Sequence, residues 1–383
     1  MKKILNLPRK IIDPLKELSD SGRLTGILLI LATTISITLS NSRFSEEYTG
    51  MWEYSLGIPM FTKTISHWIN DGLMVLFFFL VGLEIKREVL VGELARPREA
   101  LLPVLAAIGG MMAPALIFVG INWNDNASLN GWAIPTATDI AFSLGILSLL
   151  GKRAPLSLKI FLTALAIIDD LGAILIIAAF YTRDLQWDML FYALIIIGIM
   201  FAFNRLRVKH LFLYVFAGIL TWFFILKSGI HPTLAGVITA FLIPRELTGK
   251  MEHFLVKPVN FIILPLFALA NTAVPLSVEG WDTLLFSRLS LGITLGLIIG
   301  KPLGILLLTW LGVKLGVTRL PTGVGASQML GTALLAGIGF TMSLFIATLS
   351  FEYGHALDLA KLSIIAGSTV AAILGSMILA FKS

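Results

Sequence analysis

Asp169 and Asp170 stand side by side in the apolar run Leu165-Ala-Ile-Ile-Asp-Asp-Leu-Gly172. Neighbouring side chains on a helix diverge by about 100°, so the two carboxylates need two different partners. Carboxylate oxygens accept protons, and they also suit a hard cation such as sodium. One cation, Lys301 in Gly300-Lys-Pro302, lies at a comparable depth of another apolar run and is the obvious partner for one of the two. The other aspartate is then free for a cation. A purely structural role is a poor explanation, because an apolar pair holds helices together more stably than a buried ion pair.

Two further carboxylates lie in apolar runs. Asp139 follows Thr138 in Ala133-Ile-Pro-Thr-Ala-Thr-Asp139. There it can cap a helix start, offset that helix end's partial positive charge, or do both. Asp71, beside Trp68 and Asn70, is shallower and reads as a structural or pathway residue rather than an ion ligand.

These residues need apolar elements to bury them. Of the 383 residues, 57% are hydrophobic and 14% charged, and mean hydropathy is +0.90. A bilayer core is crossed by about 20 apolar residues in a helix. Twelve stretches qualify, at 24–41, 66–84, 100–121, 131–150, 156–181, 189–204, 211–226, 229–243, 254–275, 289–312, 325–349 and 357–381. The stretch at 229–243 is short. At about 1.5 Å per residue, Asp169 and Asp170 fall roughly 20 Å from the inner end of the fifth stretch, near the midplane. An ionisable group at that depth is a functional suspect by default. The expected fold is an all-α integral membrane protein, with residues 1–383 as one transporter domain.

Two stretches are poor continuous helices. Pro135 removes a backbone donor in the fourth. Gly337 and Gly339, in Gly337-Ile-Gly-Phe-Thr-Met-Ser343, weaken the eleventh. The fourth runs inward and the eleventh outward, and paired interrupted helices of opposite direction point to an inverted-repeat transporter.

The basic balance has its own explanation. With an inward N-terminus and alternating stretches, 22 of the 29 Lys and Arg residues fall on inward segments and six on outward ones. That asymmetry is the positive-inside rule, so the net charge of +6 calls for no nucleic-acid partner. Both termini are expected inside. Residues 1–23 read as an amphipathic segment on the inner surface, and the outward loop 42–65 as a possible β-hairpin around Gly50 and Gly57. The chain has no cysteine, which excludes disulfides, thiolate metal sites and cysteine nucleophiles. At the inner end of the second stretch Glu84, Arg87 and Glu88 lie within about one turn, and Glu252 and His253 lie on another inward segment. They read as a solvated charged face or as a mouth whose protonation gates transport, helped by a histidine that titrates near neutrality.

In Trp68-Ile-Asn-Asp71, Val81-Gly-Leu-Glu-Ile-Lys-Arg-Glu88, Gly131-Trp-Ala-Ile-Pro-Thr-Ala-Thr-Asp-Ile-Ala-Phe142, Leu165–Gly172, Gly300-Lys-Pro302 and Gly337–Ser343, the sequence resembles the NhaA-type bacterial sodium/proton antiporters. The motifs occur in order over nearly the whole chain. The resemblance implies two inverted repeats. It implies that Asp170 is the principal ion-binding carboxylate with Asp169 beside it, and that Lys301 pairs with Asp169. Thr138 and Asp139 then sit by crossed broken helices. It also implies an inner-membrane homodimer with a hairpin contact. Thr136 departs from the Ala of the family pattern, close to the break, where it bears on ion affinity.

The function expected is electrogenic, pH-regulated exchange of sodium or lithium for protons under alternating access. Asp169 and Asp170 would be the sodium ligands, with no cofactor and no enzymatic activity. The alternative is an electroneutral cation/proton exchanger. An intramembrane aspartyl protease needs its aspartates on different helices. A sodium-coupled symporter has no need of a lysine against a double carboxylate.

Overall fold

The computed structural model describes residues 9–58, 61–182, 185–276 and 286–381. Helix α1 (Arg9–Ser40) is continuous, so the latter part of the expected 1–23 surface segment is joined to the first span. Residues 1–8 lie outside the described residues. The next loop holds α2 (Ser45–Glu53), then β1 (Ser55–Ile58) paired antiparallel with β2 (Phe61–Thr64), Ser55 opposite Thr64. Gly50 thus lies in a helix and only Gly57 in a strand; Glu46 and Glu47 in the first turn favour a helix start there.

A π-helical turn, Trp68–Leu73, leads into α3 (Met74–Val91). Pro97 opens α4 (Pro97–Asn122), where a missing N–H costs nothing. The short α5 (Asn126–Leu129) and a 3-10 turn at Ile134–Thr136 precede α6 (Ile140–Leu149). Then come α7 (Leu156–Phe180), α8 (Trp187–Arg205) and α9 (Leu211–Ser228), the last ended by Gly229 at φ 86°. Helix α10 (Leu234–Leu242) follows, then α11 (Arg245–Pro258), which continues through a second π turn, Val259–Ile263, into α12 (Leu264–Asn271). A third π turn, Gly296–Gly300, joins α13 (Arg288–Leu295) to α14 (Lys301–Lys314). The described chain ends with α15 (Ala326–Ala336), α16 (Phe340–Ser350) and α17 (His355–Phe381).

Eight described helices are long and apolar enough to cross a membrane, and two bent helix pairs raise the number to ten. The bends are 44° at Asn126–Thr136 against Ile140–Leu149 and 41° at Ala326–Ala336 against Phe340–Ser350. Those are the fourth and eleventh stretches. The other two expected stretches, 66–84 and 229–243, differ for stated reasons. Helix α3 carries Glu84, Lys86, Arg87 and Glu88 at one end, and α10 has nine residues. They pack on each other closely: a methyl at Gly82 would stand 2.8 Å from the Ala240 side chain. Lys86 donates to the carbonyls of Ala240, Phe241 and Ile243 at the end of α10, where a cation offsets the partial negative charge.

Burial orders the bundle. Helix α7 is mostly buried and α8 mostly exposed, so α7 is central and α8 peripheral. The chain is a multi-pass membrane protein built around the helix that carries Asp169 and Asp170.

Candidate functional site

The two breaks lie against each other beside α7. In the first, the chain leaves the 3-10 turn at Thr136 and re-enters a helix at Ile140. In the second, Gly337, Ile338 and Gly339 separate α15 from α16. Breaking a helix exposes carbonyls at one side and N–H groups at the other, and buried groups of that kind must be satisfied. Each break satisfies the other. The Asp139 N–H donates to the Ile338 carbonyl at 2.7 Å. The Thr138 hydroxyl reaches the Ala336 carbonyl at 2.8 Å, and the Ser343 hydroxyl donates to the Ile134 carbonyl at 2.7 Å.

Asp139 serves both helix starts. Its Oδ1 accepts from the Phe142 N–H at 2.9 Å and so caps α6. Its Oδ2 accepts from the Thr341 N–H at 3.0 Å and from the Thr341 hydroxyl, at the start of α16. One carboxyl group thus faces two helix N-termini. The Phe340 N–H donates to Ser368 Oγ on α17 at 3.1 Å. Thr341→Val removes one donor and should lower stability by about 1–3 kcal/mol, the range for a buried polar group left with fewer bonds. Thermal unfolding in detergent checks this, with Thr341→Ser close to wild type. Equal stability of Val and wild type would mean the hydroxyl is dispensable.

Asp169 and Asp170 are both 2% exposed, and Lys301 is 0% exposed. Lys301 Nζ lies 2.7 Å from Asp169 Oδ2 and also donates to the Thr136 carbonyl freed at the first break. The Thr138 hydroxyl reaches the same Asp169 Oδ2 at 2.7 Å. These partners converge on one oxygen. Asp169 Oδ1 and Asp170 Oδ1 are buried and have no hydrogen-bond partner among the described residues. Asp170 interacts electrostatically with Asp169, Glu84, Asp139 and Lys301. Two unsatisfied carboxylate oxygens beside a helix break form a donor set for a proton or a hard cation. The hydroxyl of Thr136 donates to the Ala133 carbonyl at 2.7 Å, so it braces the 3-10 turn.

The Na+/H+ antiporter 1 family matches residues 16–379. The chain belongs to that family. It is 50% identical over 369 residues to the Na(+)/H(+) antiporter NhaA of Vibrio parahaemolyticus, covering 93% of this chain and 94% of the relative. It is 48% identical over 372 residues to the Na(+)/H(+) antiporter NhaA of Flavobacterium psychrophilum, covering 96% and 95%.

The remaining candidates separate into two groups. At one end of α3, Arg87 bridges Glu252 and Glu88, with Nη2 3.0 Å from Glu88 Oε1. Glu84 is 9% exposed and interacts electrostatically with Glu252, Arg87 and Glu88. Three carboxylates therefore surround one guanidinium. His253, next to Glu252 in the sequence, is exposed. Asp71 lies in the first π turn, where its carbonyl accepts from Trp222 Nε1 at 2.8 Å and its Oδ1 is 3.7 Å from His231 Nε2.

Sequence reasoning missed Thr341, Ser343 and Ser368. The first two stand in the Gly337–Ser343 motif, and hydroxyls within a turn of a predicted break were the available signal. Ser368 carries none, because a serine within a membrane helix marks nothing by itself. Asp71 was visible singly, but its proximity to His231 joins positions 160 apart in the chain.

Proposed function

We propose that the chain exchanges sodium or lithium for protons electrogenically, with both ions competing for Asp169 and Asp170. The observation that carries this reading is the pair of buried aspartates, each with one oxygen left unpartnered, one of them tied to a fully buried lysine. Sodium prefers oxygen ligands. Asp170 supplies a carboxylate, and the open backbone around Thr138 can supply carbonyls. A carboxyl holding a proton cannot also hold the cation. Competition for one site, exposed to each side of the membrane in turn, is sufficient for antiport. Two acidic groups and a lysine able to release its proton leave room for two protons per cation. Asp139 keeps the two half-helices in place while the site loads and unloads.

The bundle is proposed to have twelve spans in two inverted repeats, with both termini cytoplasmic in a bacterial inner membrane. The α2 and hairpin segment supplies a homodimer contact. The 22-to-6 division of Lys and Arg supports that orientation. A reporter fused after Ser383 should read as internal, and an external reading would require a different span count.

Glu84, Arg87, Glu88 and Glu252, with His253 nearby, form the proposed pH gate. Neutralising two of Glu84, Glu88, Glu252 and His253 should shift the activation pH and leave maximal turnover largely intact. Turnover that falls with no pH shift would assign them to folding. The decisive test of the whole reading is sodium-induced proton movement in proteoliposomes, with membrane potential followed in parallel. Proton movement without a potential would favour electroneutral exchange.

A further inference from the structure

Three π-helical turns interrupt the described helices. A π turn holds one residue more than the regular helix wants, and such turns collect at functional sites. The third, Gly296–Gly300, ends one residue before Lys301. Its surroundings are close. A methyl at Gly296 would stand 2.6 Å from the Pro135 side chain at the first break, and one at Gly300 would stand 2.7 Å from Pro114 on α4. Between them Leu297 is 0% exposed and meets three glycines. Its carbonyl lies against Gly337. Its Cδ2 would be 3.1 Å from a methyl at Gly339, and its Cδ1 3.2 Å from one at Gly367 on α17. The π turn therefore touches both breaks and the last helix, and it sets the register at which Lys301 begins α14.

We propose that Leu297, held in this π turn, is a positioning residue for ion exchange: it reads the relative placement of the two breaks and transmits it to Lys301. The inference rests on the reading that Asp169, Asp170 and Lys301 carry the exchange. Leu297 touches no ion. It acts through the backbone four residues ahead of Lys301, whose Nζ must meet both Asp169 and the Thr136 carbonyl. The charged groups interacting with Lys301 are Asp169 and Asp170. A shift of the π turn moves the lysine against the aspartate and changes how readily protons and sodium exchange there. Misplacement by about 1 Å in such a site costs up to about a hundredfold in rate.

The test measures proton movement in proteoliposomes over a grid of sodium concentration and pH. It compares wild type, Leu297→Ala, Leu297→Met and Ile299→Ala, with Asp170→Asn as the reference for the underlying reading. Ile299 lies in the same π turn but is 51% exposed, so its truncation leaves the packing at the breaks intact. Leu297→Ala should displace the pH profile by about one unit, a tenfold change in apparent sodium affinity at fixed pH. Leu297→Met, which keeps the volume, should restore it, and Ile299→Ala should match wild type. If Leu297→Ala fails to accumulate, Gly367→Ala presses on Leu297 from α17 and should displace the profile instead. A lower unfolding temperature with a wild-type pH profile and affinity would overturn the proposal, as would an equal displacement by Ile299→Ala. Full exchange by Asp170→Asn would instead remove the reading beneath it, whatever the Leu297 variants do.

Discussion

Asp170→Asn is expected to abolish sodium-driven proton movement in proteoliposomes. The amide keeps the size and shape of the side chain but can neither release a proton in this range nor balance a sodium charge. Asp170 is 2% exposed, so water cannot substitute for it cheaply. In the wild type the same competition sets the pH dependence. As pH falls, protons occupy the carboxyl more often and displace the cation, so apparent sodium affinity should fall. If one proton displaces one sodium, the fall is about tenfold per pH unit, and it is steeper if two protons do so. Full exchange by the Asn variant, or sodium affinity independent of pH, would sink the competition mechanism.

Lys301→Ala should have the second-largest effect, and on two observables. Lys301 and Asp169 have fully buried side chains 2.7 Å apart. Removing one partner leaves a carboxylate in a dry site, which in comparable cases costs about 3–5 kcal/mol. Asp169 can relieve the loss by taking a proton. The deficit should therefore be small at low pH and grow as pH rises and that proton becomes harder to keep. Thermal unfolding in detergent at two pH values measures the first observable, and the pH profile of exchange the second. The profile should move because Asp169 no longer has a cation competing with its proton. Unchanged stability at both pH values, together with an unchanged profile, would show that the contact carries neither.

The centre of this site was legible because the chemistry is local and costly. Adjacent aspartates in an apolar helix have few explanations, and Pro135 and the Gly337/Gly339 pair announce broken helices through backbone chemistry alone. The π turns were not legible. They arise from tertiary packing that holds one surplus residue in place, and Gly-Leu-Ile-Ile-Gly reads as ordinary apolar helix. Span counting by hydropathy also had a physical limit. Helix α10 is only nine residues long and finishes against Lys86, a contact across more than 150 positions. Within the loop 42–65 the helix Ser45–Glu53 was not legible either, because the favourable position of Glu46 and Glu47 in a helical first turn becomes visible only once that turn exists.

The double attachment of Asp139 limits the kinematics of the bundle. Its two oxygens fasten α6 and α16, while its N–H is fastened to Ile338 in the second break. Neither half-helix can slide along its axis without breaking several buried bonds at once. The pair therefore has rotation about their crossing as its soft degree of freedom, and translation as its stiff one. Any change of access that preserves those bonds must tilt the crossing as one body, like a hinge pin turning in its sleeve.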